Sequence, residues 1–135
     1  MDARNGYVSE GDEFPAIPEF IDDVMRSNKH FGQMNDPSGS AYIKGACGDQ
    51  MEFYIVVEGG TITDVRFYTD GCGYTMACGA TASHLAAGKP ISEALSISAG
   101  QVLAELETIP ESHTHCAILA VSALYKAIAD YLLKP

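Results

Sequence analysis

The chain has 135 residues, enough for one domain with its own core and too few for two. Its 18 acidic residues against 8 basic ones give a formal net charge of −10, which repels phosphate backbones and anionic lipid surfaces. Nucleic acid and membrane are therefore not expected partners. The first twelve residues are acidic and polar without a signal-peptide core, and the longest apolar run, residues 117–125, is far below membrane-spanning length. The expected location is the cytoplasm, where glycine-flanked cysteines more often bind metal or do chemistry than form disulfides.

Residues 1–14, with Asp2, Glu10, Asp12 and Glu13, read as a flexible acidic tail ahead of a single domain over 15–135. Helical spacing of Phe20, Ile21, Val24 and Met25 predicts a first helix that starts at Pro18 and fades near Asn28. Turn chemistry over 35–40 predicts a loop, and residues 41–44 a short strand. A β-hairpin follows. Its outgoing arm, Gln50 to Glu58, alternates Met51, Phe53, Ile55 and Val57 on one face, and its return arm, residues 61–70, places Val65 and Phe67 likewise. A two-residue Gly59-Gly60 turn sets Phe53 opposite Arg66 and puts the two apolar rows out of phase. The expectation is therefore a three-residue loop including Thr61, which matches Phe53 to Phe67 and Ile55 to Val65.

Beyond the hairpin the apolar period lengthens to about four. Met76, Ala80, Ser83, His84 and Leu85 predict a helix that ends at Gly88 before Pro90. Two shorter helices are expected over 91–95, with Ser92 as cap, and over 100–106, beginning near Ser98. From Cys116 onward, Ile118, Leu119, Val121, Leu124, Ile128, Tyr131 and Leu132 predict a long last helix that covers the sheet.

Three cysteines fall at the ends of these elements: Cys47 before a strand, Cys72 where the hairpin passes into a helix, and Cys116 at the start of the last helix. Helix N-termini favour thiolate over thiol, and Gly45, Gly48, Gly71 and Gly73 let a ligand approach the backbone. With Asp49 and His115 alongside, the set offers three sulfurs, one oxygen and one nitrogen. That is weaker than four thiolates and suited to a centre that exchanges; zinc also fits it. Asp49 could equally form an Asx turn, and His115 could serve helix-end geometry. Cys78, two turns into its helix, reads as a packed thiol, His30 and His84 as surface or half-buried, and the Tyr and Phe residues as core.

Ala46-Cys47-Gly48-Asp49, Gly71-Cys72-Gly73 and His115-Cys116, with about 25 and 44 positions between the cysteines, resemble the three signature segments of the IscU family and the N-terminal domain of NifU. Residues 88–94 and 127–131 match the habits of that family too, and the likeness runs from Pro18 to the C-terminus. The resemblance implies an α+β fold, with a small antiparallel sheet of about three strands packed against an N-terminal helix and C-terminal helices. It also implies a non-enzymatic scaffold for iron–sulfur cluster assembly. On it a cysteine desulfurase of the IscS/NifS kind deposits sulfur, iron is added, and a transient two-iron or four-iron cluster passes to apo iron–sulfur proteins. Carried over by position, Cys47, Cys72 and Cys116 are sulfur acceptors and ligands, Asp49 the acidic residue tied to iron entry and lability, and His115 an occasional ligand.

Residues 109–113, Ile-Pro-Glu-Ser-His, depart from the Leu-Pro-Pro-Val-Lys of many relatives, which argues against release driven by an Hsp70-type chaperone. The alternative is a zinc-bound sulfurtransferase like the SufU branch. That branch carries an insertion between the second and third cysteines and lacks the histidine before the third, and this chain has neither feature.

Overall fold

A computed structural model of the protein describes residues 29–45, 48–71, 73–106 and 109–134. The acidic tail over 1–14, the helix expected from Pro18, and both Cys47 and Cys72 lie outside the described residues. Within them the architecture is α+β. Strands β1 (Gly39–Lys44), β2 (Gln50–Glu58) and β3 (Thr61–Tyr68) form an antiparallel sheet in that spatial order, β1 starting two residues earlier than its alternation suggested.

Phe53 faces Phe67 and Ile55 faces Val65, the pairing that the two apolar rows demand. The device that achieves it is not a three-residue loop. Glu58 pairs with Thr61 across a two-residue Gly59-Gly60 turn whose φ angles, 61° and 79°, are both positive, as a type I′ turn requires. The phase is then corrected inside the ladder. Val57 opposes Ile62 while Val56 opposes Asp64, so Thr63 is an extra residue on β3, a β-bulge. The bulge turns Ile62 inward beside Val65 and Phe67, and all three are buried. On the outer face Tyr42 and Tyr68 flank Glu52, and at 54% and 37% exposed they are not core aromatics.

Helices α1 (Gly73–Ala86), α2 (Ile91–Ala94), α3 (Ala99–Leu106) and α4 (Thr114–Leu133) follow, a 3₁₀ turn at Glu111–His113 leading into the last. The four-residue stripe expected on α1 understates its burial. Ala77, Cys78, Gly79, Ala80, Thr81 and Ala82 are all buried, so the helix is enclosed nearly all round, between β3, α3 and α4. Small side chains permit the approach: a Cβ on Gly79 would lie 2.6 Å from the Phe67 ring. Cys78 is a fully buried part of this packing. Helix α2 has Pro90 as its N-cap, which makes no side-chain cap bond, in place of the expected Ser92. Ser98 caps α3 as expected, its Oγ accepting from the Gln101 amide at 3.1 Å.

Leu119, Val121, Leu124 and Ile128 carry the buried face of α4, whereas Ile118 and Leu132, placed on the same stripe by spacing, are more than half exposed. The stretch Glu111–Leu133 is long and apolar enough to cross a membrane, yet half of it is buried inside the protein, as befits a core helix. Its C-terminal half closes the sheet edge. Asp130 Oδ2 accepts from the Ser40 amide of β1 at 3.0 Å, satisfying a donor that the edge strand would otherwise leave to water. Gly39 sits under the same turn, where an added Cβ would overlap the Ala127 carbonyl oxygen and lie 2.9 Å from Tyr131 Cβ. Gly39→Ala is accordingly expected to destabilise the protein by about 3 kcal/mol in urea unfolding, since the obstacle is backbone that cannot swing aside.

Ahead of β1, His30 is buried, contrary to the surface or half-buried position expected. Its Nδ1 lies 3.0 Å from the Val65 carbonyl oxygen, and the Phe67 amide donates to the His30 carbonyl at 2.8 Å. Burial pushes the imidazole pKa below its ordinary 6.5, with Lys29 and His84 adding to that and the Val65 hydrogen bond opposing it. The unfolded chain takes up a proton near the ordinary value and the folded protein resists it. Stability is thus full above about pH 6.5 and declines as pH falls towards the folded value. Urea unfolding at about pH 7.5 and pH 5.5 should show this decline, with a shallower one in His30→Gln.

Candidate functional site

The site grows from three element ends that meet. Asp49 precedes β2, in a turn where the Gly45 amide donates to the Asp49 carbonyl at 2.7 Å and the Gly48 amide to the Gly45 carbonyl at 3.0 Å. Gly48 holds φ at 95°, a conformation that side chains resist. Thr75 lies in the first turn of α1, and Cys116 is the third residue of α4. Thr75 Oγ1 donates to Asp49 Oδ2 at 2.6 Å and lies 3.4 Å from Cys116 Sγ. One hydroxyl thus joins a carboxylate and a thiol. Thr75 and Cys116 are both fully buried.

Gly71 closes the other side of the carboxylate. A Cβ built on it would lie 3.0 Å from Asp49 Cγ, from Asp49 Oδ2 and from Thr75 Cβ, so the cradle exists because glycine stands there. Thr69 ties this segment to β2: its hydroxyl donates to the Gln50 carbonyl oxygen and accepts from the Gly71 amide at 3.0 Å. His115 Nε2 lies 3.7 Å from Cys116 Sγ. Behind it, His113 stacks on Tyr74 with ring centroids 4.1 Å apart, and the His113 and His115 rings are 6.0 Å apart. His113 reaches the neighbourhood because the 3₁₀ turn before α4 swings it there, and its Nδ1 is buried with no hydrogen-bond partner among the described residues.

Of the residues singled out by sequence, Asp49, His115 and Cys116 are brought together, while Cys47 and Cys72 lie outside the described residues. Among the described residues no three His, Cys, Asp or Glu side chains form a group that could hold a metal ion. Sequence reasoning missed Thr69, Tyr74 and Thr75. The available signal was weak: hydroxyls within two residues of Gly71-Cys72-Gly73 on either side point to chemistry only once the strand-to-helix junction is folded.

The profile of the NifU-like N-terminal domain matches residues 18–135. The chain belongs to that family. A scaffold protein for iron–sulfur cluster assembly, IscU of Escherichia coli K12, is 42% identical over 124 residues, covering 88% of this chain and 96% of that protein. IscU 1 of Archaeoglobus fulgidus, of the same description, is 36% identical over 113 residues, 83% of this chain and 74% of the other. Among solved structures, the N-terminal part of a NifU-like protein from Brucella abortus superposes with a TM-score of 0.64 over 87% of this chain and 95% of its own, at 17% identity. That likeness carries the fold.

The burial of Cys116 gives a prediction independent of any metal. In the metal-free protein Cys116 should be alkylated by a maleimide at least about 100-fold more slowly than in urea, because the reagent must wait for local opening. Peptide mass spectrometry reads the rate; labelling as fast as in urea would contradict the packing.

Proposed function

We propose that the protein is a scaffold on which iron–sulfur clusters are assembled and from which they pass to apo-proteins. The observation that carries this reading is the meeting of Asp49, Thr75 and Cys116 over Gly71. Asp49 is two residues from Cys47 and Gly71 is next to Cys72, so the chain neighbours of both other cysteines converge on the third. The names carried by the relatives at 36% and 42% identity point the same way.

The donor set suits the cargo. Cys47, Cys72 and Cys116 would supply thiolates, Asp49 a harder and weaker oxygen, and His115 a nitrogen held beside Cys116. Three thiolates with a poor fourth ligand hold a cluster long enough to build it and still let it leave. Sulfur arrives by exchange: a scaffold thiolate attacks the outer sulfur of a persulfide on a cysteine desulfurase, the new S–S bond forms, and the desulfurase departs as thiolate. Nothing is turned over. A reducing cytoplasm would keep these cysteines free to exchange sulfur and metal. Zinc, which the same ligands accommodate, would occupy the site when iron and sulfur are absent.

Anaerobic incubation with iron, cysteine and a desulfurase should produce visible sulfur-to-iron charge-transfer absorption that is lost in Cys47→Ala. Stoichiometric zinc with no colour would point to a sulfurtransferase instead, and neither metal nor colour would remove the scaffold reading altogether.

A further inference from the structure

The carboxylate of Asp49 is held in one place by a residue that is itself no metal ligand. Thr75 Oγ1 donates its single hydrogen to Asp49 Oδ2 at 2.6 Å and so faces Cys116 Sγ, 3.4 Å away, with a lone pair. Thr75 is fully buried and Asp49 half-buried, so the hydroxyl end of that hydrogen bond is shielded from water. On the opposite side Gly71 leaves room for the carboxylate and no more. The backbone of Asp49 is pinned as well, by the Gly45 amide on its carbonyl. Hydroxyl, glycine and backbone together hold the side chain one hydroxyl away from the Cys116 sulfur.

We propose that Thr75 is a positioning residue for metal capture: its hydroxyl holds the Asp49 carboxylate beside Cys116 and so sets how tightly the site takes its first metal ion. The proposal rests on the scaffold reading, in which Asp49 and Cys116 are ligands. A carboxylate aimed by a second hydrogen-bonding group is a stronger and more directional ligand than one that must be ordered on binding. A role exerted through Asp49 must vanish once the carboxylate is removed, which separates it from simple packing.

The test is a double-mutant cycle on the full-length protein, with zinc affinity measured anaerobically by competition with a chromophoric chelator. Thr75→Val, which keeps shape and removes the hydroxyl, should weaken zinc binding by about 10- to 100-fold, the usual effect of losing a group that orients a ligand. Thr75→Ser should stay within about threefold of the parent. In an Asp49→Ala background, Thr75→Val should add less than about twofold, because the group it positions is gone. Cobalt(II) substitution gives a second readout: the d–d bands of Thr75→Val should resemble those of Asp49→Ala. An undiminished loss in the Asp49→Ala background, or a Ser variant as weak as Val, overturns the proposal in favour of packing. Should Thr75→Val not fold, proton NMR of the parent decides: the Thr75 hydroxyl resonance, slowly exchanging in the parent, should broaden or vanish in Asp49→Ala, and its persistence sinks the clamp. A parent protein that neither binds zinc nor assembles a cluster defeats the scaffold reading itself, while the hydroxyl resonance still reports on the clamp.

Discussion

The seating of α1 against the sheet is the constraint on which the rest depends. Gly79 lets the helix approach the Phe67 ring more closely than any side chain would allow, and the surrounding alanines keep its other faces low enough for α3 and α4 to close over it. Close packing of this kind tolerates little volume change, so the helix has one depth and one rotation. Its first turn is therefore fixed too, and with it the direction of Thr75. A looser helix would still fold, but its N-terminus would not deliver a hydroxyl between a carboxylate from one segment and a thiol from another.

The sheet is tuned to the same end. The Gly59-Gly60 turn and the bulge at Thr63 act as a pair: the tight turn alone would throw the apolar rows out of phase, and the bulge restores them. Restored phase puts Phe67 under Gly79 and brings the end of β3 to Thr69, whose hydroxyl links Gln50 to Gly71. The start of β2 and the exit of β3 are thereby bound to each other beside the site. Asp130 does the corresponding work at the other edge, binding the last helix to β1. Cys116, at the beginning of that helix, is located by a contact made at its far end as well as by its own burial.

Electrostatically the pocket is sparing. Among the described residues the Asp49 carboxylate is met by a neutral donor, the Thr75 hydroxyl, in place of a lysine or arginine. An ion pair would hold Asp49 more firmly and compete with an incoming cation, whereas a hydroxyl orients the oxygen and leaves its charge uncompensated. Such an arrangement suits a site that must receive metal and later give it up. The two histidines before Cys116 extend it outward through ring stacking, His113 on Tyr74 and His115 beside His113, a geometrically directed contact.

Much of this was legible in one dimension. Alternation located the hairpin arms and their facing pairs, the Gly88 and Pro90 punctuation ended α1, and Ser98 announced α3, because these signals are local and each rests on one backbone requirement. Asp49 is legible the same way, as a carboxylate beside Gly48, and His115 with Cys116 as an adjacent pair at a helix start. Local pattern failed where a residue's setting depends on chain far away. The bulge hides an extra residue from a period of two, enclosure on all sides erases the polar face by which a helix is normally read, and Ile118 and Leu132 lie on an apolar stripe yet face solvent. Residue type and spacing thus decided the family, since its signature resides in short contiguous segments. Which hydroxyl stands between Asp49 and Cys116, residues 67 positions apart, was decided only by packing, because that neighbourhood exists nowhere along the chain until α1 is seated.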